Sequence, residues 1–515
     1  MERRGDARRS RAPGCGRCPS IYGAITVKST ANQTYLYGKN FLWFAASFFL
    51  LFLASKSLGL TMGYALDDYA TLISDKGQMQ GFFVSQGRFT FALMQSVMDL
   101  SDLKQPQLAG LGFFLSAGGL LLISWVTLAK WLEKDIWLAV AVGALLGAHP
   151  FFAEYVSFRQ SLFPMGVCFF LTVGAIFLIA QNDRATKANL VAACALAAMA
   201  SGINQIAMEF FCLAVLGISL QKSTHLPPFR ALLLAIRNTV LAGAVACAFY
   251  LAFSAFAIRM AAVAPDARTS MLGVSDIGAR FGDIATLLAA IFAGSHPLIG
   301  PVAAMCTAIA VLVVCVRAST AYEPWMQVAS GGIVIALGLV FTLLPPSLSG
   351  VWWPVPRTLI MLPLAVALGI AILSFGASRV QVRVTSVALL IAVAIFSGKS
   401  GWLLENQQRL NRWDIGLARD IVIKISEIKQ IDASTPILIH RAKWTYETDP
   451  SMPLGDANLS ALTSRWAIDP LFEEASGRRL NVTSGAEGDK TCDKSPSFPN
   501  SGSIHEVDGA LHVCL

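Results

Sequence analysis

Near-continuous apolar runs, such as Phe41 to Leu53 and Val387 to Phe396, recur along the chain, separated by short polar or charged stretches. A hydrocarbon core roughly 30 Å thick takes about 20 apolar residues as a helix. Lipid offers no water to an unpaired backbone, so an open sheet is excluded and only helices or a closed barrel can span. A barrel would show short segments of alternating polarity, which these runs are not. The expected fold class is therefore an all-α polytopic membrane bundle. Composition agrees: 55% of the 515 residues are hydrophobic and 14% charged, with a mean hydropathy of +0.58, far more apolar than a soluble protein of this length.

Residues 1–39 are polar and basic (Arg3, Arg4, Arg8, Arg9, Arg11, Arg17) and lack periodicity, which predicts a loose cytoplasmic tail. The first apolar run, 41–62, is too long for a signal-peptide core and has no convincing small-residue cleavage site, so it reads as a signal anchor. Further spans are expected over 108–130, 135–150, 161–180, 188–202, 204–220, 232–258, 285–316, 326–344, 358–375 and 384–402, about eleven with the first. The stretch 285–316 is long and contains His296-Pro297 and Gly300-Pro301, which predict a broken or re-entrant segment.

With the N-terminus inside, alternate connections are cytoplasmic. They carry Lys130 and Lys134, Arg184 and Lys187, then Lys222, Arg230 and Arg237, then Arg317, then Arg379 and Arg383, so every one is basic, as the positive-inside rule requires. An odd number of spans then places 403–515 outside, in the periplasm of a bacterial inner membrane. Three regions result: the tail 1–39, a transmembrane domain 40–402 with a long outer loop 64–107, and the exported region 403–515. The last has a charged helical pattern at 406–428, a strand-like Pro436–His440 and many turn residues after Asp449, which predict a small soluble α/β region.

The net charge of +8 is spread between the apolar runs and the N-terminal tail. No aromatic-basic groove accompanies it, so topology explains it and nucleic acid is not an expected partner. Cys168, Cys194 and Cys247 lie within apolar runs as small buried hydrophobes. Cys15 and Cys18 form a C-x-x-C with no second ligand pair, a poor basis for zinc or redox chemistry. Cys492 and Cys514 stand alone in the C-terminal region, where export would allow a disulfide.

Candidate chemistry gathers in the outer loops. The first opens with Asp67-Asp68, continues through Gln86-Gly87-Arg88, and ends in an amphipathic stretch whose Phe89, Ala92, Leu93, Val97 and Leu100 share a helical face suited to the membrane interface. Position alone suits two roles for the acidic pair. They are N-caps of a helix beginning at Tyr69, or one is a general base for an acceptor hydroxyl while its neighbour raises its pKa. The second outer loop, His149 to Gln160, packs Glu154 and Arg159 among aromatics. Arg88, Arg159, Arg259, Arg268, Arg280 and Arg357 all oppose the positive-inside bias. Snorkelling explains a single such arginine, whereas a phosphate ligand explains a set, because guanidinium bonds phosphate oxygens bidentately. Arg357 is favoured, since Trp352-Trp353-Pro354-Val355-Pro356 sets a rigid aromatic segment before it. Lys56, Asn204, Gln205, Glu209 and His296 lie within spans. Lys56 is expected to snorkel toward the acidic pair, and Glu209 to pair with Gln205 or another helix; neither is expected to be catalytic.

This pattern resembles the GT-C superfamily of membrane glycosyltransferases, marked by an acidic residue or pair in the first outer loop. Tyr64-Ala65-Leu66-Asp67-Asp68-Tyr69, Gln86-Gly87-Arg88-Phe89 and Pro150-Phe151-Phe152-Ala153-Glu154 look most similar to the Gtr-type glucosyltransferases that modify bacterial O-antigen. The likeness is best over residues 40–220. It implies a GT-C-like fold and transfer of a sugar, typically glucose, from a polyprenyl-phosphate carrier to a cell-envelope glycan on the periplasmic face. Asp67 or Asp68 would be the base and Arg88 part of the same site. Chemistry alone suggests acceptor or phosphate binding by Glu154, Arg159, Arg357 and His296.

The expected reaction is displacement at the anomeric carbon, with arginines stabilising the leaving lipid phosphate. No metal cluster spacing and no Gly-rich nucleotide loop is present in the sequence, so neither cofactor nor metal is expected, and the polyprenyl-phosphate sugar is a substrate. Expected partners are that lipid-linked sugar, a glycan acceptor, membrane lipid and a flippase that delivers the donor. A transporter or flippase of lipid-linked sugars, or an O-antigen polymerase or ligase, are the alternatives; the former should show repeat symmetry, which is not visible.

Overall fold

The computed structural model describes residues 38–61, 63–73, 78–180, 186–266, 272–318, 324–375, 377–432, 434–440, 457–486 and 490–515. The N-terminal tail with Cys15 and Cys18, and Arg268, lie outside the described residues.

The first helix, α1 (Phe41–Lys56), leads into a long connection that folds as α2 (Leu66–Ile73), α3 (Gln78–Ser85) and α4 (Phe89–Leu100). Then follow α5 (Ala109–Leu132), α6 (Ile136–Ala148), α7 (Phe151–Ser157), α8 (Arg159–Ala180), α9 (Lys187–Ser201), α10 (Ile206–Lys222) and α11 (Pro228–Ala261). The later bundle comprises α12 (Ile277–Ala293), α13 (Pro301–Ala318), α14 (Pro324–Leu348) and α15 (Leu362–Leu373), and α16 (Arg379–Ile428) rises out of it. The fold is thus the expected polytopic helical bundle. Among the described residues seven helices are long and apolar enough to cross a bilayer, or eight if the pair α6 and α7, bent by 42°, is one span. The expected segments 188–202, 204–220 and 285–316 form the shorter helices α9, α10, α12 and α13. Stretch 285–316 is broken, as its prolines predict: α12 ends at Gly294 with φ +74° and α13 starts after Gly300, also at +74°.

Packing inside the bundle depends on close backbone approach. Gly143 and Gly147, four residues apart on α6, lie against the carbonyls of Phe44 and Phe48 on α1, and a Cβ at Gly143 would come within 2.5 Å of the Phe44 oxygen. Small residues at this spacing let lipid-embedded helices touch where no hydrophobic force drives them together. The approach also settles Lys56. It does not snorkel outward but is fully buried, its ammonium donating to the Gly147 carbonyl at 2.7 Å and to Ser55 Oγ at 3.0 Å. The α6–α7 bend leaves this carbonyl at a helix end with no amide to accept from, and the lysine fills the vacancy. On α4, Leu93, Val97 and Leu100 are exposed, the edge suited to lipid, while Ala92 is buried.

The predicted boundary at 402/403 falls inside α16, which continues unbroken for 50 residues from the bundle into the C-terminal region. There β1 (Pro436–His440), α17 (Arg465–Ser476), β2 (Asn481–Ser484), β3 (Ile504–Val507) and β4 (Ala510–Cys514) build a sheet of order β2-β1-β4-β3, parallel except for the β3–β4 pair. Cys492 and Cys514 are disulfide-bonded. Leu66 and Tyr69 of α2 join Ile421 and Ile425 of α16 and Leu471 and Phe472 of α17 in one core, so the connection after α1 and the C-terminal region share a face of the molecule.

Candidate functional site

The acidic pair lies in the first turn of α2, which begins at Leu66 rather than at Tyr69, so neither aspartate caps a helix from Tyr69. Asp68 caps a different one. Its carboxylate accepts from the amides of Arg159 (3.2 Å) and Gln160 (2.8 Å), which open α8, and from Ala65 (2.9 Å). An anion here meets the positive end of the α8 dipole and amides that the helix itself leaves unbonded. Asp68 is fully buried, and desolvation pushes its pKa up to about 7 against the opposing pull of the three amides. Asp67, next to it, is only half-buried.

The same segment is anchored to the C-terminal region. The Tyr69 hydroxyl donates to Glu474 Oε2 on α17 at 2.7 Å, and Asn411 on α16 donates to the Tyr69 oxygen (3.1 Å) and the Tyr64 carbonyl (2.7 Å). Burial raises the Tyr69 hydroxyl and the Glu474 carboxyl above their usual ranges.

A second constellation sits at the corner between α7 and α8. Glu154, fully buried on α7, accepts from the Arg357 backbone amide on one oxygen and from its guanidinium on the other, both at 2.7 Å. That guanidinium also lies 5.1 Å from the centre of the Phe158 ring, and the Arg159 guanidinium 5.5 Å from the Tyr64 ring. Phe158 is the single residue between the two helices. The corner therefore ties Asp68, through Arg159 and Gln160, to Arg357, through Glu154 and Phe158. Two other arginines expected on the outer face differ: Arg280 donates to the Pro346 and Ser349 carbonyls and stacks on Trp352, and Arg259 is exposed.

Arg357 opens onto a cleft of about 530 Å³ that Arg88, Tyr155, Glu209, Tyr250 and Trp353 also line. Its floor is cross-linked. Asn204 donates to the Tyr155 hydroxyl (2.6 Å), and Gln205 to the Tyr250 hydroxyl (3.2 Å) and the Gln86 carbonyl (3.3 Å). Gly87 adopts φ +73°, and a Cβ there would lie 2.6 Å from the Tyr250 oxygen, so only glycine brings Arg88 this close.

Of the residues singled out in the sequence, Arg88 and Arg357 line the cleft, Asp68, Glu154 and Arg159 gather at the corner beside it, and Asp67 precedes Asp68 in the first turn of α2. His296 does not join them. Its ring packs on Phe151, 5.5 Å between centroids, and its Nδ1 accepts from the Leu298 amide. Glu209 does not pair with Gln205, whose amide is engaged elsewhere. Sequence reasoning set Glu209 aside and missed Tyr155 and Tyr250. A carboxylate inside an apolar run was the available signal.

One family model matches, described as Glucosyl transferase GtrII, over residues 56–400. The matched region holds the acidic pair, Arg88, Glu154, Glu209 and Arg357, and ends inside α16. No curated protein and no solved structure matches the chain.

Proposed function

The chain belongs to the glucosyl transferase GtrII family, a membrane glycosyltransferase, and from that premise we propose that it moves a glucosyl unit from a polyprenyl-phosphate donor to an O-antigen or other cell-envelope glycan on the periplasmic face of the inner membrane. The observation that carries this reading is the convergence of Arg88 and Arg357 on one cleft, with Asp68, the neighbour of Asp67 in α2, joined to Arg357 through the α7–α8 corner.

In the proposed reaction the acceptor oxygen forms a bond to the anomeric carbon as the bond from that carbon to the lipid-phosphate oxygen breaks. The electron pair leaves with the phosphate, and Arg88 and Arg357 stabilise the charge, a role fixed donors perform well in a site with little water. The acceptor proton passes to a carboxylate. Both Asp68 oxygens already accept amide hydrogens and the side chain is fully buried, so Asp67 is assigned as the base and Asp68 as the residue that positions it. Glu154 orients Arg357 toward the donor. The basic connections between spans support a cytoplasmic N-terminus, and the Tyr69–Glu474 bond keeps the C-terminal region on the side of the acidic pair.

Purified protein in proteoliposomes, given radiolabelled polyprenyl-phosphate glucose or a nucleotide-linked glucose with the same glycan acceptor, tests the donor. Label should move from the lipid donor alone; transfer from the nucleotide sugar without lipid would reject the reading.

A further inference from the structure

Glu209 sits in the first turn of α10, 4% exposed, on the wall of the cleft. Among the described residues its Oε2 has no hydrogen-bond partner. The polar groups beside it are spent on one another: the Asn204 amide on Tyr155, and the Gln205 amide on Tyr250 and the Gln86 carbonyl. A favourable dipole at the start of α10 accounts for an acid in this turn, but not for a buried oxygen left unbonded, which is costly and rare.

We propose that Glu209 is the sugar-recognising residue of the cleft, its carboxylate accepting hydrogen bonds from the hydroxyls of a hexose ring. The inference rests on the glycosyl-transfer reading and adds the subsite that holds the ring. A hexose offers neighbouring O–H donors, the complement of a carboxylate, and an apolar C–H face for the Tyr250 and Trp353 rings that share the wall. The arginines and the glutamate therefore divide the cleft: charge at Arg88 and Arg357, hydroxyls at Glu209. At about 530 Å³ the cleft is in the range of small-molecule sites.

The ring belongs to the donor or to the acceptor, and kinetics separate the two. With the full-length protein in a detergent that carries no sugar, saturation-transfer NMR with free D-glucose should show transfer to the ring protons in wild type and a loss of about ten-fold in Glu209→Ala. In the transfer assay Glu209→Gln should raise one KM by about ten-fold, that of the polyprenyl-phosphate glucose if the ring is the donor's, that of the glycan if it is the acceptor's. Glu209→Gln should melt no lower than wild type, since no bond to Oε2 is lost, whereas a purely structural role predicts a fall. Absence of glucose saturation in wild type, equal saturation in Glu209→Ala, or two unchanged KM values would overturn the assignment. If wild type fails to use the lipid donor, that donor is wrong, and the glucose experiment still decides Glu209.

Discussion

The Asp68 carboxylate accepts the backbone hydrogens of Arg159 and Gln160, 91 and 92 residues further along the chain, and so holds the start of α8 against the start of α2. A buried acid with a pKa near 7 also makes stability depend on pH. Its folded value lies above the unfolded one, so the folded state binds the extra proton. The stabilising contribution is complete below about pH 4, declines through the interval between the two values, and is gone above pH 7. Thermal melting of wild type should fall between pH 5 and pH 7 relative to Asp68→Asn, by up to about 1.4 kcal/mol per pH unit. Parallel profiles for the two proteins would remove Asp68 as the source.

Arg357 and Glu154 should behave as one unit. Removing the guanidinium leaves the fully buried Glu154 carboxylate with the backbone amide of residue 357 but without that cation, which costs about 3–5 kcal/mol. Arg357→Ala should raise the KM for the lipid donor more than Arg357→Lys does, and Glu154→Ala should move the same constant. The double variant should be no worse than the more damaging single one, the mark of a shared interaction in a double-mutant cycle. Full additivity would mean that Glu154 does not act through Arg357.

The bond between Tyr69 and Glu474 is the tether of the acidic loop to α17. Tyr69→Phe keeps the ring in its core and removes only the hydroxyl, so a loss of about 1.5–3 kcal/mol is expected. Hydrogen exchange should show faster exchange in α2 and α17 and no change in the bundle. Unchanged protection in both helices would contradict the tether.

Much of the architecture was legible from residue order because lipid imposes local rules. Apolar runs give helices, and the prolines at 297 and 301 mark the break between α12 and α13. The span count was not, because helices such as α9 and α10 are packed within the bundle and need not meet the length that a lone span requires. The site was legible only in part. Arg88, Arg357 and the acidic pair carry charge in unusual places, and charge is visible in a sequence. That Arg357 meets Glu154 from 203 residues away, that Asp68 caps α8, and that Lys56 turns inward to Gly147 are results of packing, which no local pattern encodes. Glu209 looked like a helix-pairing residue until the neighbouring amides proved to be bonded to other groups.

The proposed layout, with the C-terminal region on the outer face, can be tested at the Cys492–Cys514 disulfide. A membrane-impermeant thiol reagent applied to the outer face should label Cys492 and Cys514 after reduction and not before. Cys492→Ser should lower the stability of the region by about 3 kcal/mol. Labelling only after the membrane is opened would place the region in the cytoplasm and overturn the proposed layout.

The assignment of the base is the central claim. The most direct measurement is the rate of glucosyl transfer from polyprenyl-phosphate glucose by Asp67→Asn, beside wild type and Asp68→Asn, at equal amounts of folded protein. Asp67→Asn should lose about 10²–10⁴-fold in kcat with little change in donor KM, while Asp68→Asn, which keeps an oxygen acceptor for the α8 amides, should lose less. Wild-type turnover in Asp67→Asn would contradict the account.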